Sequence, residues 1–182
     1  TVFTQAARAL ARIAASQPDA LANGQLSQIT TAIATAYTSH PDDQDVTSEL
    51  IQAMNAIAGA PQNLDTARRD FDEILRAALL DPAGPVRVEA VYTLAQFHQR
   101  DVLPLLISAD NDLLDDTYTP VRHAVIAAIR DQGGADHLDH LHQHLTGEND
   151  TDVARAVEEA FVAILTRLPI KESYHWAQRL QS

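Results

Sequence analysis

The stretch "GPVRVEAVYTL" at residues 84–94 resembles a second stretch, "TPVRHAVIAAI", at residues 119–129. In both stretches Pro-Val-Arg is followed by apolar residues three or four positions apart, the spacing that places side chains on one face of an α-helix. Proline is tolerated in the first turn of a helix, where its missing N–H would have no partner. Both stretches are therefore predicted to be helices that begin near the proline, and their recurrence predicts a repeat protein.

Five copies of this helix become visible when the sequence is aligned on the valine that opens each of them. We call them the valine helices, and their opening residues are Val2, Val46, Val86, Val121 and Val153. The residues four, eight and eleven positions later are apolar with one exception, Gln132. The residues at the eighth position are Leu10, Met54, Leu94, Ile129 and Phe161. These offsets form one stripe along a helix, and we expect that stripe to be buried.

A second helix is predicted between successive valine helices, because each interval carries its own apolar residues at helical spacing. The predicted intervening helices cover residues 25–38, 65–80, 102–114 and 136–146. One helical pair cannot bury both of its apolar faces, so successive pairs must stack on one another. We expect an all-α protein. Asp152 is expected to cap the fifth valine helix, and Gly133-Gly134 to end the fourth with a positive φ.

Charge and composition exclude several classes of function. The 182 residues carry 25 acidic and 13 basic side chains, and a net charge of −12 repels nucleic-acid phosphate and anionic lipid. The absence of cysteine excludes disulfides and thiolate metal sites. No apolar run approaches the roughly 18 residues of a membrane span, and no signal peptide is visible, so a cytoplasmic location is favoured. We expect no nucleic-acid partner, no membrane partner and no cofactor.

The segments "DPAGPVRVEAVYTLAQF" (81–97) and "DTYTPVRHAVIAAI" (116–129) resemble the HEAT repeat family. Asp81 and Asp116 match the aspartate that the family has in the turn before its second helix, helix B. Arg87 and Arg122 match the arginine of helix B, and the four residues imply an Asp–Arg ladder between repeats. "DVLPLLI" (101–107) is similar to the family's first helix, helix A. The resemblance is strongest over residues 81–130.

This resemblance implies a fold and a kind of function. HEAT repeats form right-handed α-solenoids of the armadillo type, whose B helices line a concave protein-binding surface, and they serve more often as adaptors or scaffolds than as enzymes. We expect about five repeats in a single solenoid over residues 1–182. Because Leu10 and Ile13 would lack cover, we expect the chain to be part of a longer protein or assembly. Its partners would be other proteins or other domains, in an oligomeric state that the sequence does not predict.

The expected binding surface follows from the buried stripe. Residues two, three, six and ten positions after each valine face away from the stripe, and we call them the outward face. The candidate residues are Arg8, Arg12, Glu49, Gln52, Glu89, Tyr92, Gln96, His123, Arg155 and Glu159. Tyr92 is the one aromatic residue among them, and it is the predicted anchor because tyrosine offers a large contact area at low entropic cost. The alternative is a face that is only solvated.

The segment "DHLDHLHQH" (136–144) offers a different kind of site. His137, His140 and His144 lie on one side of the predicted helix, and a histidine pair four residues apart on a helix can bind Zn²⁺ or Ni²⁺. No third or fourth ligand is evident, so no metal site is predicted. We expect the histidines to flank the buried leucines on the solvent side.

Two enzymatic classes are the remaining alternatives, because some HEAT-like proteins are bilin lyases and others are alkylpurine DNA glycosylases. A glycosylase needs a basic groove with aromatic residues, whereas this chain has one lysine and one tryptophan. A lyase-like role stays open without direct support from the residues. Neither a glycine-rich phosphate loop nor a Ser-His-Asp arrangement is recognisable in the sequence. The prediction is therefore a non-catalytic scaffold that binds a protein partner.

Overall fold

The computed structural model of the protein describes residues 5–6, 9, 12–13, 23–40, 43–58, 64–96, 102–108 and 111–179. Within these ranges it contains nine α-helices. They are α1 (Asn23–Ser39), α2 (Gln44–Ala58), α3 (Leu64–Ala78), α4 (Gly84–Gln96), α5 (Leu103–Leu106), α6 (Thr119–Gln132), α7 (Leu138–Gly147), α8 (Thr151–Arg167) and α9 (Ile170–Arg179). The predicted all-α fold is confirmed. Among the described helices, none combines the length and the apolar composition that crossing a bilayer requires.

The structure gives bounds for four valine helices, α2, α4, α6 and α8, and their described apolar stripe residues are buried, whereas Phe97 lies outside the described residues. Their opening valines and their eighth-position residues all lie in the core. The first copy differs, because Ala6 and Ile13 at its stripe positions are exposed. Val2, Arg8 and Leu10 of that copy lie outside the described residues. The sequence alignment therefore assigned the buried face correctly in copies two to five.

The chain forms two compact units, Thr1–Gln99 and Arg100–Ser182. In the first unit, valine helix α2 packs against valine helix α4, and the intervening helix α1 packs against α3. In the second unit, α6 packs against α8, and α7 contacts α8. Helices of the same type thus stack within each unit, which is how repeat proteins cover their apolar faces. The single solenoid over residues 1–182 stays a prediction.

The predicted helix 102–114 is wrong beyond its first turn. Helix α5 ends at Leu106, and the strands β1 (Ile107–Ser108) and β2 (Asn111–Asp112) then pair antiparallel, with Ile107 opposite Asp112. A 3₁₀ turn follows at Leu113–Asp115. The Asp112 side chain accepts a hydrogen bond of 3.0 Å from the Leu114 N–H, a local contact that competes with helix formation. The leucines of the segment are nevertheless buried, and they are Leu103, Leu106, Leu113 and Leu114.

Two helix ends also differ from the prediction in their chemistry. Asp150, not Asp152, caps α8, because its side chain accepts hydrogen bonds from two backbone N–H groups of the first turn. Gly133 ends α6 with a φ of −68°, so the expected positive φ is wrong. The glycine is required for space instead. A Cβ at this position would lie 2.4 Å from the carbonyl oxygen of Ile129, which accepts a hydrogen bond of 2.7 Å from the Gly133 N–H.

Candidate functional site

The outward face of the first unit combines an exposed tyrosine with a hydrogen-bonded polar pair. Tyr92 on α4 is 43% exposed. One turn before it, Glu89 accepts a hydrogen bond of 3.1 Å from Gln52 Nε2 on α2, which links the two stacked valine helices on this face. Gln96 is exposed and Glu49 is half-buried. The structure therefore places an aromatic side chain beside a pair of polar groups that already hold each other in position.

In the second unit the outward face forms a cleft of about 250 Å³ between α6 and α8. His123, Arg155 and Glu159, three of the predicted surface residues, line it.

Of the two basic residues predicted for the first copy, Arg12 is exposed and Arg8 lies outside the described residues. The outward face is thus accessible in both units, with mixed charge in the second.

The turn before each central valine helix has the same internal geometry in two copies. Arg87 NH1 donates a hydrogen bond of 2.7 Å to the backbone oxygen of Asp81, and Arg122 NH1 donates one of 2.9 Å to the backbone oxygen of Asp116. Each aspartate side chain accepts a hydrogen bond of 2.8 Å from the backbone N–H two residues later. The aspartate shapes the turn, and the arginine six residues later closes it. Two segments that share a sequence pattern therefore share a contact pattern.

Comparison with known protein families identifies this recurring unit. The family model for HEAT repeats matches residues 72–161, about half of the chain. Residues 72–161 are HEAT repeats. HEAT repeats commonly mediate protein–protein interaction, and the family generally supplies non-catalytic scaffolds. No curated protein and no solved structure matches the chain.

A contact between successive HEAT repeats in the second unit was missed by the sequence reasoning. Arg122 Nε on α6 lies 3.2 Å from Glu148 Oε2, and Arg122 NH2 lies 3.8 Å from Asp150 Oδ2, in the turn before α8. Glu148 stands five residues before Val153, the offset at which the two preceding copies have aspartate. A search for any carboxylate at this offset, not for aspartate alone, would have found it.

Glu148 is held ionised by its surroundings. Its side chain is 8% exposed, and burial by itself would raise the pKa of its carboxyl group. The backbone N–H of Asp150, the charges of Arg122 and His144 and the backbone N–H of Asn149 outweigh burial, and the pKa of Glu148 lies below its ordinary value. The carboxylate therefore lies between the Arg122 guanidinium and the His144 imidazole, 3.2 Å from each.

The histidines of residues 136–144 do not form the solvent-facing row that we expected. His137 and His144 have largely buried side chains, whereas His140 and His142 are exposed. His137 Nδ1 lies within hydrogen-bond distance of the Gly134 N–H and of Asp136, because the chain folds into a 3₁₀ turn before α7. Among the described residues, no three or more histidine, aspartate or glutamate side chains are placed to hold a metal ion.

His144 lies in a cavity of the second unit. The cavity measures about 480 Å³. The charged and titratable residues that line it are Asp112, Asp115, Arg122, His140, His144 and Glu148. These residues come from β2, the 3₁₀ turn Leu113–Asp115, α6, α7 and the turn before α8. Five neighbouring segments of the second unit therefore line the cavity.

Proposed function

We propose that this chain is a non-catalytic scaffold or adaptor that binds a protein partner on the outward face of its valine helices. The observation that carries the proposal is the exposure of Tyr92 on helix α4, whose stripe residues Val86, Ala90 and Leu94 are buried. The HEAT repeats support it, because this family commonly binds other proteins.

Tyr92 has the properties of an anchor residue. Its side chain presents a large amphipathic surface, and ordering it on binding restricts only two side-chain torsions. The hydrogen bond between Gln52 and Glu89 holds two of the neighbouring polar groups before a partner arrives. A preorganised surface loses less conformational entropy on binding than a mobile one.

The class of partner follows from charge and cover. A net charge of −12 disfavours nucleic acid, so the partner is a protein or another domain of a larger protein. Ile13 is exposed, whereas Ile57 and Ile164 at the same stripe position are buried. We therefore propose that the chain works within a larger assembly, in which a partner or a further domain covers the Ile13 side chain.

Site-specific cross-linking tests the proposal. The photoreactive residue p-benzoylphenylalanine is placed at position 92 or at position 174 of the full-length protein in its native cell, and cross-linked products are identified by mass spectrometry. Tyr174 on α9 is the matched control, a tyrosine that is 65% exposed but lies outside the valine helices. The proposal predicts one specific protein product from position 92 and none from position 174. A product from position 174 alone would place the binding surface elsewhere.

A further inference from the structure

We propose that the charged cavity of the second unit binds the guanidinium group of an arginine side chain from a partner protein. The cavity measures about 480 Å³, a volume within the range of ligand sites in proteins. None of the described residues that line it belongs to the outward face of the valine helices. The cavity is therefore a second surface, separate from the one that carries Tyr92.

The walls of the cavity carry more negative than positive charge. Asp112, Asp115 and Glu148 contribute three carboxylates. Arg122 is the one arginine or lysine among the described lining residues. Its Nε atom is buried without a hydrogen bond, but its charge is balanced by Glu148 Oε2 at 3.2 Å and by Asp150 Oδ2 at 3.8 Å. Asp112 and Asp115 are exposed, so the excess of negative charge is accessible and favours a cationic ligand.

A buried histidine in the cavity wall lacks a hydrogen-bond partner. The His144 side chain is 9% exposed, and its Nε2 atom makes no hydrogen bond although Glu148 Oε2 lies 3.2 Å away. Nδ1 of the same ring lies 3.2 Å from Asp115 Oδ1, a carboxylate that favours the tautomer with its N–H on Nδ1. Nε2 of this tautomer carries a lone pair, so two acceptors lie 3.2 Å apart. Because an unsatisfied buried acceptor is costly, an N–H group from a ligand stabilises this arrangement.

Guanidinium suits these groups better than other cations. It has five N–H donors in one plane, so it can donate to a carboxylate and to His144 Nε2 together, and it is more weakly hydrated than an ammonium group. Weak hydration matters here because the side chains of Glu148 and His144 are 8% and 9% exposed. Among the described residues, no set of side chains is placed to hold a metal ion instead. A protein as the source of the arginine shares its support with the proposed function, since HEAT repeats commonly mediate protein–protein interaction.

Titration of the full chain with short peptides tests the proposal. The probes are acetyl-Gly-Arg-Gly-amide, the same peptide with lysine, and the same peptide with citrulline, a neutral isostere of arginine. Binding is followed at low ionic strength by NMR of the ¹⁵N-labelled protein, through the backbone signals of Leu114 and Gly147, which both line the cavity. We expect saturable shifts with the arginine peptide, weaker binding of the lysine peptide and no shifts with the citrulline peptide.

Asp115→Asn removes a carboxylate of the cavity, and Asp136→Asn is its matched control. Both aspartates are 78% exposed and lie beside Nδ1 of a largely buried histidine, but Asp136 does not line the cavity. Because an exposed charge pair contributes modestly, Asp115→Asn should raise the Kd of the arginine peptide about two- to fivefold. Asp112→Asn, which keeps the oxygen that accepts from the Leu114 N–H, should do the same, and Asp136→Asn should leave the Kd unchanged.

Two results would overturn the inference. One is binding of the citrulline or lysine peptide as tight as that of the arginine peptide, or no saturable shift with any of them. The other is an equal change in Kd for Asp115→Asn and Asp136→Asn. The peptides do not probe the position of Tyr92, so either result would leave the proposed binding on the outward face to its own cross-linking test.

Discussion

Replacing Leu94 with alanine should destabilise the first unit far more than the same replacement two residues later. Leu94 lies at the eighth position of α4 and is 0% exposed. The change removes three carbon atoms from the core, which at about 0.8 kcal/mol for each buried group amounts to about 2.4 kcal/mol. A residual cavity of roughly 40–100 Å³ adds about 1–2.4 kcal/mol, because α2 and α3 pack on α4 and limit its collapse. The expected loss in the free energy of unfolding is about 3–5 kcal/mol.

Gln96→Ala is the matched control, since Gln96 is exposed on the same helix and should change stability by no more than about 0.5 kcal/mol. Urea unfolding followed by far-ultraviolet circular dichroism measures both variants. Ile129→Ala, at the eighth position of α6, extends the test to the second unit. The chain's one tryptophan, Trp176, packs edge-to-face on Phe161 in that unit, so its fluorescence reports unfolding there. Equal losses for Leu94→Ala and Gln96→Ala would refute the assignment of the buried stripe.

Two further predictions concern the second unit. Gly133→Ala should lower the free energy of unfolding by about 1–3 kcal/mol, because its Cβ would meet the carbonyl oxygen of Ile129. Gly147→Ala, whose Cβ would meet nothing within 4 Å, should be neutral or stabilising by up to about 1 kcal/mol, and similar losses for both glycines in urea unfolding would contradict this. Because the pKa of Glu148 is lowered in the folded unit, the stability that its carboxylate contributes is complete above the ordinary pKa of 4.5. That stability is lost as the pH falls through the lowered pKa. Glu148→Gln should therefore show a smaller fall in Tm than the wild type between about pH 6 and about pH 3, and an unchanged fall would show that Glu148 does not carry this stabilisation.

The fold was predictable where burial repeats with the period of a helix. The burial of Val86 and Leu94, and of their counterparts in three other copies, was predictable because these residues lie on the same stripe of a stacked helix. The segment 102–114 was not predictable in this way. Its leucines are buried, but the hydrogen bond that the Asp112 side chain accepts from the Leu114 N–H favours a turn over a helix, and leucine spacing does not report that competition.

The charged cluster was harder to predict than the fold. Glu148 differs by one methylene group from the aspartate of the matching copies, and His144 looked like one of three solvated histidines on a helix. The surroundings of His144 include the turn at Leu113–Asp115, which replaces the predicted helix and brings Asp115 to the His144 ring. An error in one local element therefore carried over to the side chains that the element contacts.

The affinity of Tyr92→Ala for the partner captured at position 92 tests the central claim most directly. Isothermal titration calorimetry with the purified full-length protein compares the wild type, Tyr92→Ala and Tyr174→Ala. We expect Tyr92→Ala to raise Kd by about 5–150-fold, equivalent to about 1–3 kcal/mol, with an unchanged Tm, and Tyr174→Ala to bind like the wild type. An unchanged Kd for Tyr92→Ala together with weakened binding of Tyr174→Ala would contradict the claim that the outward face of the valine helices is the binding surface.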